Sequence, residues 1–443
     1  MGQKKVYLKT YGCQMNQNDS ERMLGMLATM GYEQTETPQV ADLLLLNTCA
    51  IREKAEDKLF SRLGELKEVK ALNPEAVIGI AGCVAQHMGA RIRLRAPYVD
   101  LVFGTENIHE LPRLLTEVIE KREPVVSLVP FTDELPPEMP VLRQGKHQAW
   151  ITAIYGCNDR CTYCIVPSVR GDQKSRDIPD IVREVERVAA EGFSEVVLLG
   201  QNINGYGKDM SPRRSLGELI EAVAVVPGVK RVRWLTGHPR DLDEDLLIRM
   251  KRHENVCDHF HIPIQAGAND VLRQMARGYT REKYMAKVEL IRRYYPDAGI
   301  TTDLIVGFPG ETEEQFQETI DVVREVRFTG VNTAAYSARP GTYAATRADQ
   351  VPEDVKDRRL QELNQVVNEV AMTVSRQMVG TTQEVLVEGP SPKNAEVYQG
   401  RTKNNRIVFL ASCPELEGEL VQVKITDARP WTLKGEVLAP VAR

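Results

Sequence analysis

Three cysteines, Cys157, Cys161 and Cys164, stand within eight residues of one segment. The spacing C-x-x-x-C-x-x-C lets three thiolates hold three irons of a cubane cluster and leaves the fourth iron without a protein ligand. Zinc sites usually bring two C-x-x-C pairs, and ferredoxin-type segments add a fourth cysteine followed by proline, but this segment has neither feature. An open iron can bind and reduce a small molecule, so the spacing indicates a reactive cluster. A distorted zinc site and three inert buried thiols are the alternatives.

Three further cysteines, Cys13, Cys49 and Cys83, are spread over about 70 residues but share one kind of position. Each follows a short apolar run that reads as a buried strand. Because the carboxyl ends of parallel strands share one edge of a sheet, these cysteines are expected to converge there and form a second metal–sulfur site. The alternative is that the three cysteines are separate buried thiols that bind no metal. A structural zinc would need a fourth ligand, for which His87 is the nearby candidate, and a second cluster with an open iron fits better. Cys257 and Cys413 match no motif and are interpreted as structural.

Residues 1–120 alternate apolar strands with helices, which predicts an open parallel α/β sheet. We expect its strands at residues 6–8, 43–46, 77–80 and 99–103, and its first helix to begin near Asp19. Residues 121–146 contain five prolines among acidic residues, and this composition predicts a linker.

The alternation of strands and helices resumes in residues 147–379. Six apolar runs at 151–154, 196–199, 232–235, 259–264, 304–306 and 331–336 predict a partial (β/α)6 barrel. Its active mouth should lie at the carboxyl ends of the strands, where the cysteine segment 157–164 follows the first strand. Residues 380–443 change to short alternating strands with glycine turns, typical of a small antiparallel β-barrel. A basic turn at Arg401, Lys403 and Arg406 in this barrel either contacts RNA phosphates or is a solvated hairpin.

The bulk composition is that of an ordinary protein of two to four domains. The net charge of -5 gives no global nucleic-acid signature, so any RNA contact must come from local patches. No apolar run approaches the roughly 20 residues that a bilayer requires, and the first residues lack the pattern of a signal peptide. We therefore expect a cytoplasmic protein whose cysteines are metal ligands more often than disulfides.

Polar and glycine-containing motifs recur after successive strands of the predicted barrel. The run Gly200-Gln201-Asn202 follows the second strand, and the glycine permits close backbone approach while the amides can bind an amino-acid head group. Similar runs lie at 261–267, 307–311 and 336–341. Each alone could be turn chemistry. Together they indicate one ring of residues around a cofactor.

These motifs resemble those of the methylthiotransferases of the radical S-adenosylmethionine (SAM) superfamily, over essentially the full length of the chain. They lie at residues 10–16 (TYGCQMN), 19–21, 46–55, 81–86, 157–167, 170–171, 199–202 and 427–435. The last of them belongs to a segment that resembles the TRAM RNA-binding domain. Residues 14–16 and 52–55 are similar to the branch of the family that acts on (dimethylallyl)adenosine in tRNA.

The resemblance implies two 4Fe–4S clusters and SAM as cofactors. Cys157, Cys161 and Cys164 would hold the cluster that binds and cleaves SAM, giving a 5′-deoxyadenosyl radical that abstracts hydrogen from carbon 2 of the adenine. Cys13, Cys49 and Cys83 would hold an auxiliary cluster that delivers sulfur, and a second SAM would supply the methyl group. The SAM contacts would be Tyr163, Gly200, Gln201, Asn202, His261, Gln265, Gly307 and Tyr336. No side chain is expected to be catalytic, since the cofactor carries the radical chemistry.

The partners implied are a tRNA that carries N6-(dimethylallyl)adenosine next to the anticodon, an electron donor protein and a sulfur donor, with no membrane. The chain departs from the family pattern at Gly237, where serine is usual, and at Ala266 and Ala268. Two other functions stay open. One is the same chemistry on threonylcarbamoyladenosine in tRNA or on a ribosomal protein. The other is a non-catalytic, metal-containing RNA-binding protein.

Overall fold

A computed structural model of the chain describes residues 3–50 and 53–441, with the backbone alone at residues 53–55. The chain divides into two compact units. The first unit holds the residues up to Gln144 together with 154–159 and 164–174. The second unit holds residues 145–153, 160–163 and those from Ser175 onwards. Ile51 and Arg52, which belong to the motif at 46–55, lie outside the described residues.

The first unit is built on a six-stranded sheet whose order is β2-β1-β3-β4-β5-β6, with every neighbouring pair parallel. This confirms the predicted open parallel sheet, to which β2 and β6 add two unpredicted edge strands. Both faces of β3 and β4 are buried, because helices cover the two sides of the sheet. The elements are β1 (Lys4–Tyr11), α1 (Gln14–Thr29), β2 (Tyr32–Gln34), β3 (Leu43–Thr48), α2 (Glu53–Leu72), β4 (Val77–Gly82), α3 (Cys83–Met88), α4 (Arg91–Arg95), β5 (Leu101–Phe103), α5 (Leu111–Lys121) and β6 (Val125–Ser127).

Helix α1 begins at Gln14, directly after Cys13, and not near Asp19 as the sequence predicted. Asparagine has a low helix propensity because its side chain competes for backbone hydrogen bonds. Here the side chain of Asn16 instead reaches out of the helix, and its Nδ2 donates to Asn47 Oδ1 at 3.3 Å. Asn47 Nδ2 returns a bond to the backbone oxygen of Asn16 at 2.7 Å. A tertiary contact therefore sets the start of the helix.

The segment predicted as a linker, 121–146, contains β6 and partly follows α1. The backbone N–H of Leu142 donates to the Glu21 carbonyl oxygen at 2.9 Å, and that of Gln144 to Glu21 Oε1 at 2.9 Å. Gly25 permits this close approach, since a Cβ there would lie 2.3 Å from the Pro140 oxygen. This end of the segment is thus bound to the first unit.

The second unit contains two parallel three-stranded sheets, β7-β10-β11 and β12-β13-β14, each followed by helices. A bridge between Val232 and Val256 links β11 to the residues before β12. This confirms the partial (β/α)6 barrel, although its fourth strand ends at His261 and is shorter than predicted. The elements of 148–376 are β7 (Gln148–Thr152), β8 (Ile154–Tyr155), α6 (Val166–Arg170), β9 (Lys174–Ser175), α7 (Ile178–Ala190), β10 (Glu195–Leu199), α8 (Leu216–Ala224), β11 (Arg231–Leu235), α9 (Glu244–Lys251), β12 (His259–His261), α10 (Asn269–Gln274), α11 (Arg281–Tyr294), β13 (Gly299–Val306), α12 (Glu313–Val326), β14 (Gly330–Ala335) and α13 (Glu353–Arg376).

The carboxy-terminal residues form the predicted small barrel, closed in the order β15-β16-β17-β19-β18. Its pairs are antiparallel except for β17 and β19, which run parallel. Alternate residues of its strands, such as Val385, Val408 and Val421, fill the interior. The strands are β15 (Thr382–Ser391), β16 (Asn394–Thr402), β17 (Ile407–Leu410), β18 (Leu420–Ala428) and β19 (Thr432–Pro440).

The basic turn at 401–406 lies against the amino-terminal ends of the (β/α) barrel strands. Arg231, the first residue of β11, donates to the Arg401 carbonyl oxygen at 2.5 Å. Lys403 Nζ donates to the Glu254 oxygen at 2.5 Å, and Arg406 Nη1 to the Thr329 oxygen at 2.7 Å. The turn therefore joins the two barrels of the second unit. The turn is therefore not a solvated hairpin, and its contact with RNA stays a prediction.

No helix in the described ranges combines the length and the apolar character that crossing a bilayer requires.

Candidate functional site

Cys13, Cys49 and Cys83 meet at one edge of the sheet in the first unit. They follow the carboxyl ends of β1, β3 and β4, three adjacent parallel strands. Cys49 is within hydrogen-bonding reach of both other thiols. The expected convergence of these three side chains is therefore present in the structure.

Buried asparagines hold this edge in place. Asn16 is fully buried, with its Oδ1 3.4 Å from the Cys13 sulfur and its Nδ2 3.9 Å from the Cys83 sulfur. Gly82, just before Cys83, has φ 88°, and a Cβ there would lie 2.2 Å from Asn47 Oδ1. A side chain at residue 82 would collide with the amide that fixes Asn16. The cysteine edge is thus rigid and built from polar groups.

A buried cation lies beside this edge. Arg170, the last residue of α6, donates from Nη2 to Asp19 Oδ2 at 2.7 Å, and both side chains are almost completely buried. The hydrogen bond from the Cys49 thiol lowers the pKa of Cys13 and of Cys83, and the Arg170 guanidinium lowers both further, against the effect of burial. Cys49 is the partner in both hydrogen bonds, and they raise its pKa. The lowered pKa values at Cys13 and Cys83 favour the thiolate form that a metal ligand requires.

Thiolates are the ligands of iron–sulfur clusters, so the donor set at this edge fits such a cluster. Within the described ranges, no group of three or more cysteine, histidine and carboxylate side chains is positioned to hold a single metal ion. In a cubane each cysteine binds a different iron, so the ligands need not meet around one ion. His87, the only suggested fourth ligand for zinc, lies in the last turn of α3.

In the second unit, Cys161 is buried and accepts a hydrogen bond from Arg277. The distance from Arg277 Nη1 to the Cys161 sulfur is 3.2 Å. Arg277 also donates to the Pro263 carbonyl oxygen at 2.9 Å and to the Tyr279 hydroxyl at 3.0 Å, which fixes its guanidinium. A charged donor aimed at a cysteine sulfur fits a cluster ligand, whose properties depend on such bonds.

Cys157 and Cys164 belong to the first unit, and each sulfur accepts a backbone hydrogen bond. The N–H of Asp159 lies 3.4 Å from the Cys157 sulfur, and the N–H of Val166 lies 3.4 Å from the Cys164 sulfur. The Cys157 N–H donates to the Gly171 oxygen at 3.1 Å. Backbone donors at these two sulfurs are compatible with ligating thiolates, whose cluster potential such bonds help to set.

The predicted SAM residues of the second unit follow the carboxyl ends of their strands. Gly200, Gln201 and Asn202 come directly after β10, and His261 ends β12. Two of these side chains already have protein partners. Asn202 Nδ2 donates to Asp241 Oδ2 at 2.7 Å.

His261 has a partner at each ring nitrogen. Its Nδ1 lies 2.9 Å from Thr301 Oγ1, and its Nε2 lies 3.5 Å from Asp303 Oδ2. The neighbouring strand β13 therefore orients this imidazole. The histidine supports the rim of the barrel through Thr301 and Asp303.

Gln265, Gly307 and Tyr336 also lie at this rim. Gln265 has φ 78° and its N–H donates to the Asp303 oxygen at 3.0 Å. Gly307, with φ 71°, follows β13, and its N–H donates to Glu311 Oε2 at 2.6 Å. Tyr336 follows β14 and stacks edge-on against Phe308 at 5.6 Å. Gln265 and Gly307 thus have a backbone conformation that side chains rarely adopt, and a Cβ at Gly307 would lie 2.4 Å from the Lys356 side chain.

Tyr163 lies beside the segment that carries Arg277. It is half-buried, and the preceding residue, Thr162, donates from its N–H to the Met275 oxygen at 3.1 Å. Thr162 Oγ1 donates to the Gln274 oxygen at 2.8 Å. The backbone at Tyr163 is therefore anchored to the end of α10.

Sequence reasoning missed several residues at these sites. Arg277 and Arg170 are distant in sequence from the cysteines they affect. Of the two, only Arg170 belongs to one of the motifs that resemble the family, at residues 170–171. Asn204 is 6% exposed, and among the described residues neither its Nδ2 nor its Oδ1 has a hydrogen-bond partner. A buried amide without partners is unfavourable unless a ligand satisfies it. Its place two residues after Asn202 was a visible signal.

Solved structures with the same fold are radical SAM enzymes. The radical S-adenosylmethionine methyltransferase TsrM from Kitasatospora setae, with cobalamin and a 4Fe–4S cluster bound, has a TM-score of 0.56 at 14% identity, covering 87% of this chain and 81% of that one. The cobalamin-dependent S-adenosylmethionine radical enzyme OxsB has a TM-score of 0.52 at 11% identity, covering 82% of this chain and 56% of that one. At such identities the similarity concerns the fold.

Three family profiles match successive parts of the chain. Residues 5–104 match the Uncharacterized protein family UPF0004, residues 151–323 match the Radical SAM superfamily, and residues 376–438 match the TRAM domain. The two cysteine sets lie in the first and second of these regions.

Curated relatives are similar over nearly the whole chain. A tRNA-2-methylthio-N(6)-dimethylallyladenosine synthase from Carboxydothermus hydrogenoformans is 45% identical over 98% of this chain and 99% of the relative. The protein of the same name from Pelotomaculum thermopropionicum is 46% identical over 98% of this chain and 97% of the relative. The chain belongs to the family of tRNA-2-methylthio-N(6)-dimethylallyladenosine synthases, within the radical SAM superfamily.

Proposed function

We propose that this chain is a radical SAM enzyme that methylthiolates carbon 2 of N6-(dimethylallyl)adenosine next to the anticodon in tRNA. The product is 2-methylthio-N6-(dimethylallyl)adenosine. The observation that carries the proposal is the identity of about 45% over 98% of the chain with synthases of that name. The three family regions and the two cysteine sets agree with it.

The six cysteines divide into two cluster sites. Cys157, Cys161 and Cys164 hold the 4Fe–4S cluster that binds SAM. Cys13, Cys49 and Cys83 hold an auxiliary 4Fe–4S cluster that carries the sulfur to be transferred. The support for the second cluster is the convergence of its three thiols at one sheet edge, where the pKa of Cys13 and of Cys83 is lowered.

The chemistry leaves a side-chain acid or base little to do in the hydrogen abstraction. An unactivated aromatic C–H bond gives a side-chain base nothing to act on, so the clusters and SAM, when bound, supply the radical and sulfur-transfer chemistry. The protein orients and tunes these groups. Arg277 holds Cys161 and places positive charge at its sulfur, and Asn16 fixes Cys13 and Cys83 through two weak contacts.

The rim residues of the barrel bind SAM in two ways. We expect backbone contacts from Gly200 and Gly307 and side-chain contacts from Tyr163, Gln201, Gln265 and Tyr336, with Asn204 added because its amide lacks a partner among the described residues. Asp241 orients the side chain of Asn202, and Asp303 orients that of His261, so that both can face SAM.

The reaction also requires an electron donor protein and a sulfur donor. Each turnover consumes one sulfur atom and reducing electrons. SAM and the tRNA do not supply them, so other proteins must. A cytoplasmic location stays a prediction from the sequence.

An anaerobic turnover assay with cysteine variants tests this proposal. The reconstituted protein meets SAM, a strong reductant and tRNA carrying N6-(dimethylallyl)adenosine, and nucleosides and 5′-deoxyadenosine are measured by mass spectrometry. We expect the wild type to form both the methylthio nucleoside and 5′-deoxyadenosine. Alanine at Cys157, Cys161 and Cys164 should abolish both products, whereas alanine at Cys13, Cys49 and Cys83 should abolish only the methylthio nucleoside.

The same assay separates the alternatives. Formation of 5′-deoxyadenosine without a methylthio nucleoside, combined with turnover of threonylcarbamoyladenosine tRNA or a ribosomal protein, would assign a different acceptor. A protein that fills both sites with zinc and cleaves no SAM would be a binding protein. The matched control is tRNA that lacks the dimethylallyl group.

A further inference from the structure

A small cavity lies within the first unit, between α1, the loop that follows β5 and the segment 155–174. Its volume is about 30 Å³. A buried water needs about 10–15 Å³ of such space, so the cavity has room for two waters or for one small ion. Its lining combines the buried Asp19 and Arg170 with the exposed His109, so the cavity extends from the interior to the surface.

Two of the cations that line this cavity are paired with carboxylates of the same lining. Arg170 donates to Asp19 at 2.7 Å, and Lys174 lies 2.9 Å from Glu106. Of the four side chains, that of Glu106 is the most exposed, at 16%. Each pair is balanced in charge, so neither contributes a net charge to the cavity.

A third cation, Arg22 of α1, also lines the cavity. It is 6% exposed, and its Nη1 donates to the hydroxyl of Tyr155, a neutral group whose ring centre lies 5.4 Å from the guanidinium carbon. The neighbouring carboxylate, Glu21, is held by Arg143 at 3.8 Å and by the N–H of Gln144 at 2.9 Å. Arg22 therefore gives the cavity one positive charge in excess.

This excess charge and the hydroxyl beside it favour an anion. A charge buried in a protein is unfavourable unless an opposite charge lies close to it. A tyrosine hydroxyl that accepts one hydrogen bond keeps its own proton to donate, so Tyr155 can bind the same anion as Arg22. One charge in excess matches a monovalent ion.

Helix α1 links the cavity to the cysteine edge of the sheet. Cys13 directly precedes α1, and at roughly 1.5 Å per residue Asp19 and Arg22 lie about 9 and 14 Å further along its axis. Arg170 belongs to the cavity wall, and its charge also lowers the pKa of Cys13 and of Cys83. The cavity is therefore adjacent to the auxiliary site.

We propose that this cavity binds hydrosulfide and holds it next to the auxiliary site. The inference rests on the proposed function, in which each turnover consumes one sulfur atom that neither SAM nor tRNA supplies. Hydrosulfide, released by the sulfur donor, is monovalent and small enough for the cavity. Phosphate and sulfate, with four oxygens around a central atom, are too large. Hydrosulfide binds by reversible association without electron transfer, so this step needs no oxidant or reductant.

Anaerobic equilibrium binding of radiolabelled hydrosulfide to the reconstituted full-length chain tests the inference. The chain carries alanine at Cys13, Cys49 and Cys83, so that no auxiliary cluster captures the label, and SAM is present to fill the other cluster. We expect one hydrosulfide per chain. Arg22→Gln should weaken binding about tenfold, as loss of a hydrogen bond from a charged group predicts. Arg22→Lys keeps the charge and should retain most of the affinity.

Two further variants separate the loss of the site from a loss of structure. Met139→Phe enlarges a half-buried side chain of the lining without changing any charge, and it should abolish binding. Arg113→Gln removes an exposed arginine of α5 outside the cavity and should leave binding unchanged. The circular dichroism spectrum of each variant shows whether the fold is retained.

The holoenzyme with all six cysteines gives a second readout. We measure the rate of repeated turnovers against the concentration of added sulfide. Arg22→Gln should raise the concentration for half-maximal rate about tenfold, whereas kcat should recover at saturating sulfide.

Three results would overturn the inference. The first is a parent chain that binds no hydrosulfide. The second is equal affinity in the parent, Arg22→Gln and Met139→Phe, which would place the anion elsewhere. The third is displacement of hydrosulfide by an equal concentration of chloride, which would show an anion site without preference for sulfur. A chain that binds hydrosulfide as expected but forms no methylthio nucleoside would instead contradict the proposed function itself.

Discussion

The hydrogen bond from Arg277 to Cys161 should set the reduction potential of the SAM-binding cluster. The guanidinium is buried, donates to the sulfur at 3.2 Å and is held by Pro263 and Tyr279. A buried positive charge stabilises the reduced cluster, which is the more negative state. Arg277→Met removes this charge while keeping a side chain of similar length, so the potential should become more negative.

The size of the shift follows from the energy of the bond. A hydrogen bond to a charged group contributes about 1.5–3 kcal/mol, which corresponds to about 65–130 mV for one electron if it acted on the reduced state alone. Both oxidation states carry negative charge on sulfur, so we expect about half of this, on the order of 30–60 mV.

A redox titration followed by electron paramagnetic resonance measures this shift. The background carries alanine at Cys13, Cys49 and Cys83, so that the spectrum reports one cluster. Tyr284→Phe is the matched control, because it removes a buried hydroxyl that donates to the Ile262 carbonyl oxygen and leaves the bonds of Arg277 in place. If Arg277→Met gives the same potential as the parent and as Tyr284→Phe, the reasoning about this bond is refuted.

Three further predictions concern stability, each measured by urea unfolding of the metal-free protein. Arg170→Met leaves the buried Asp19 carboxylate unpaired and should lower the free energy of unfolding by about 3–5 kcal/mol. Adding Asp19→Asn should restore part of this loss. Equal losses in the single and the double variant would contradict the ion pair. Burial raises the pKa of Glu311 to about 7, so its folded form binds a proton that the unfolded form releases near pH 4.5, and the free energy of unfolding should fall by about 3 kcal/mol as the pH rises from 4.5 to 7. Glu311→Gln should remove this component, and an unchanged pH dependence would show that the carboxyl is already ionised. Gly267→Ala places a Cβ 2.3 Å from the Glu318 carbonyl oxygen and should destabilise the protein by about 1–3 kcal/mol, whereas full stability would mean that α12 shifts freely.

The architecture was predictable because its signals are local. The apolar runs at 43–46 and 77–80 are long enough to be recognised, and both are fully buried strands in the structure. Once these strands are placed, parallel pairing brings Cys49 and Cys83 to the same edge without further information. Edge strand β2 has three residues with one buried side chain, too weak a pattern to predict.

The details that sequence reasoning missed depend on distant contacts. Arg277 and Cys161 are 116 residues apart, and Arg231 reaches the turn at Arg401 across 170 residues. Nothing near Arg401 distinguishes a turn that contacts RNA from one that packs on another barrel. The same reason explains why α1 begins at Gln14 and not near Asp19. The distant residue Asn47 holds Asn16 in the first turn of the helix.

The most direct test of the central claim is the mass of the nucleoside that the purified, reconstituted protein forms anaerobically in tRNA carrying N6-(dimethylallyl)adenosine. The account predicts a product heavier by one methylthio group in place of hydrogen, formed with SAM and a reductant and lost when Cys13, Cys49 and Cys83 are replaced by alanine. A wild-type protein that produces 5′-deoxyadenosine and leaves this nucleoside unmodified would contradict it.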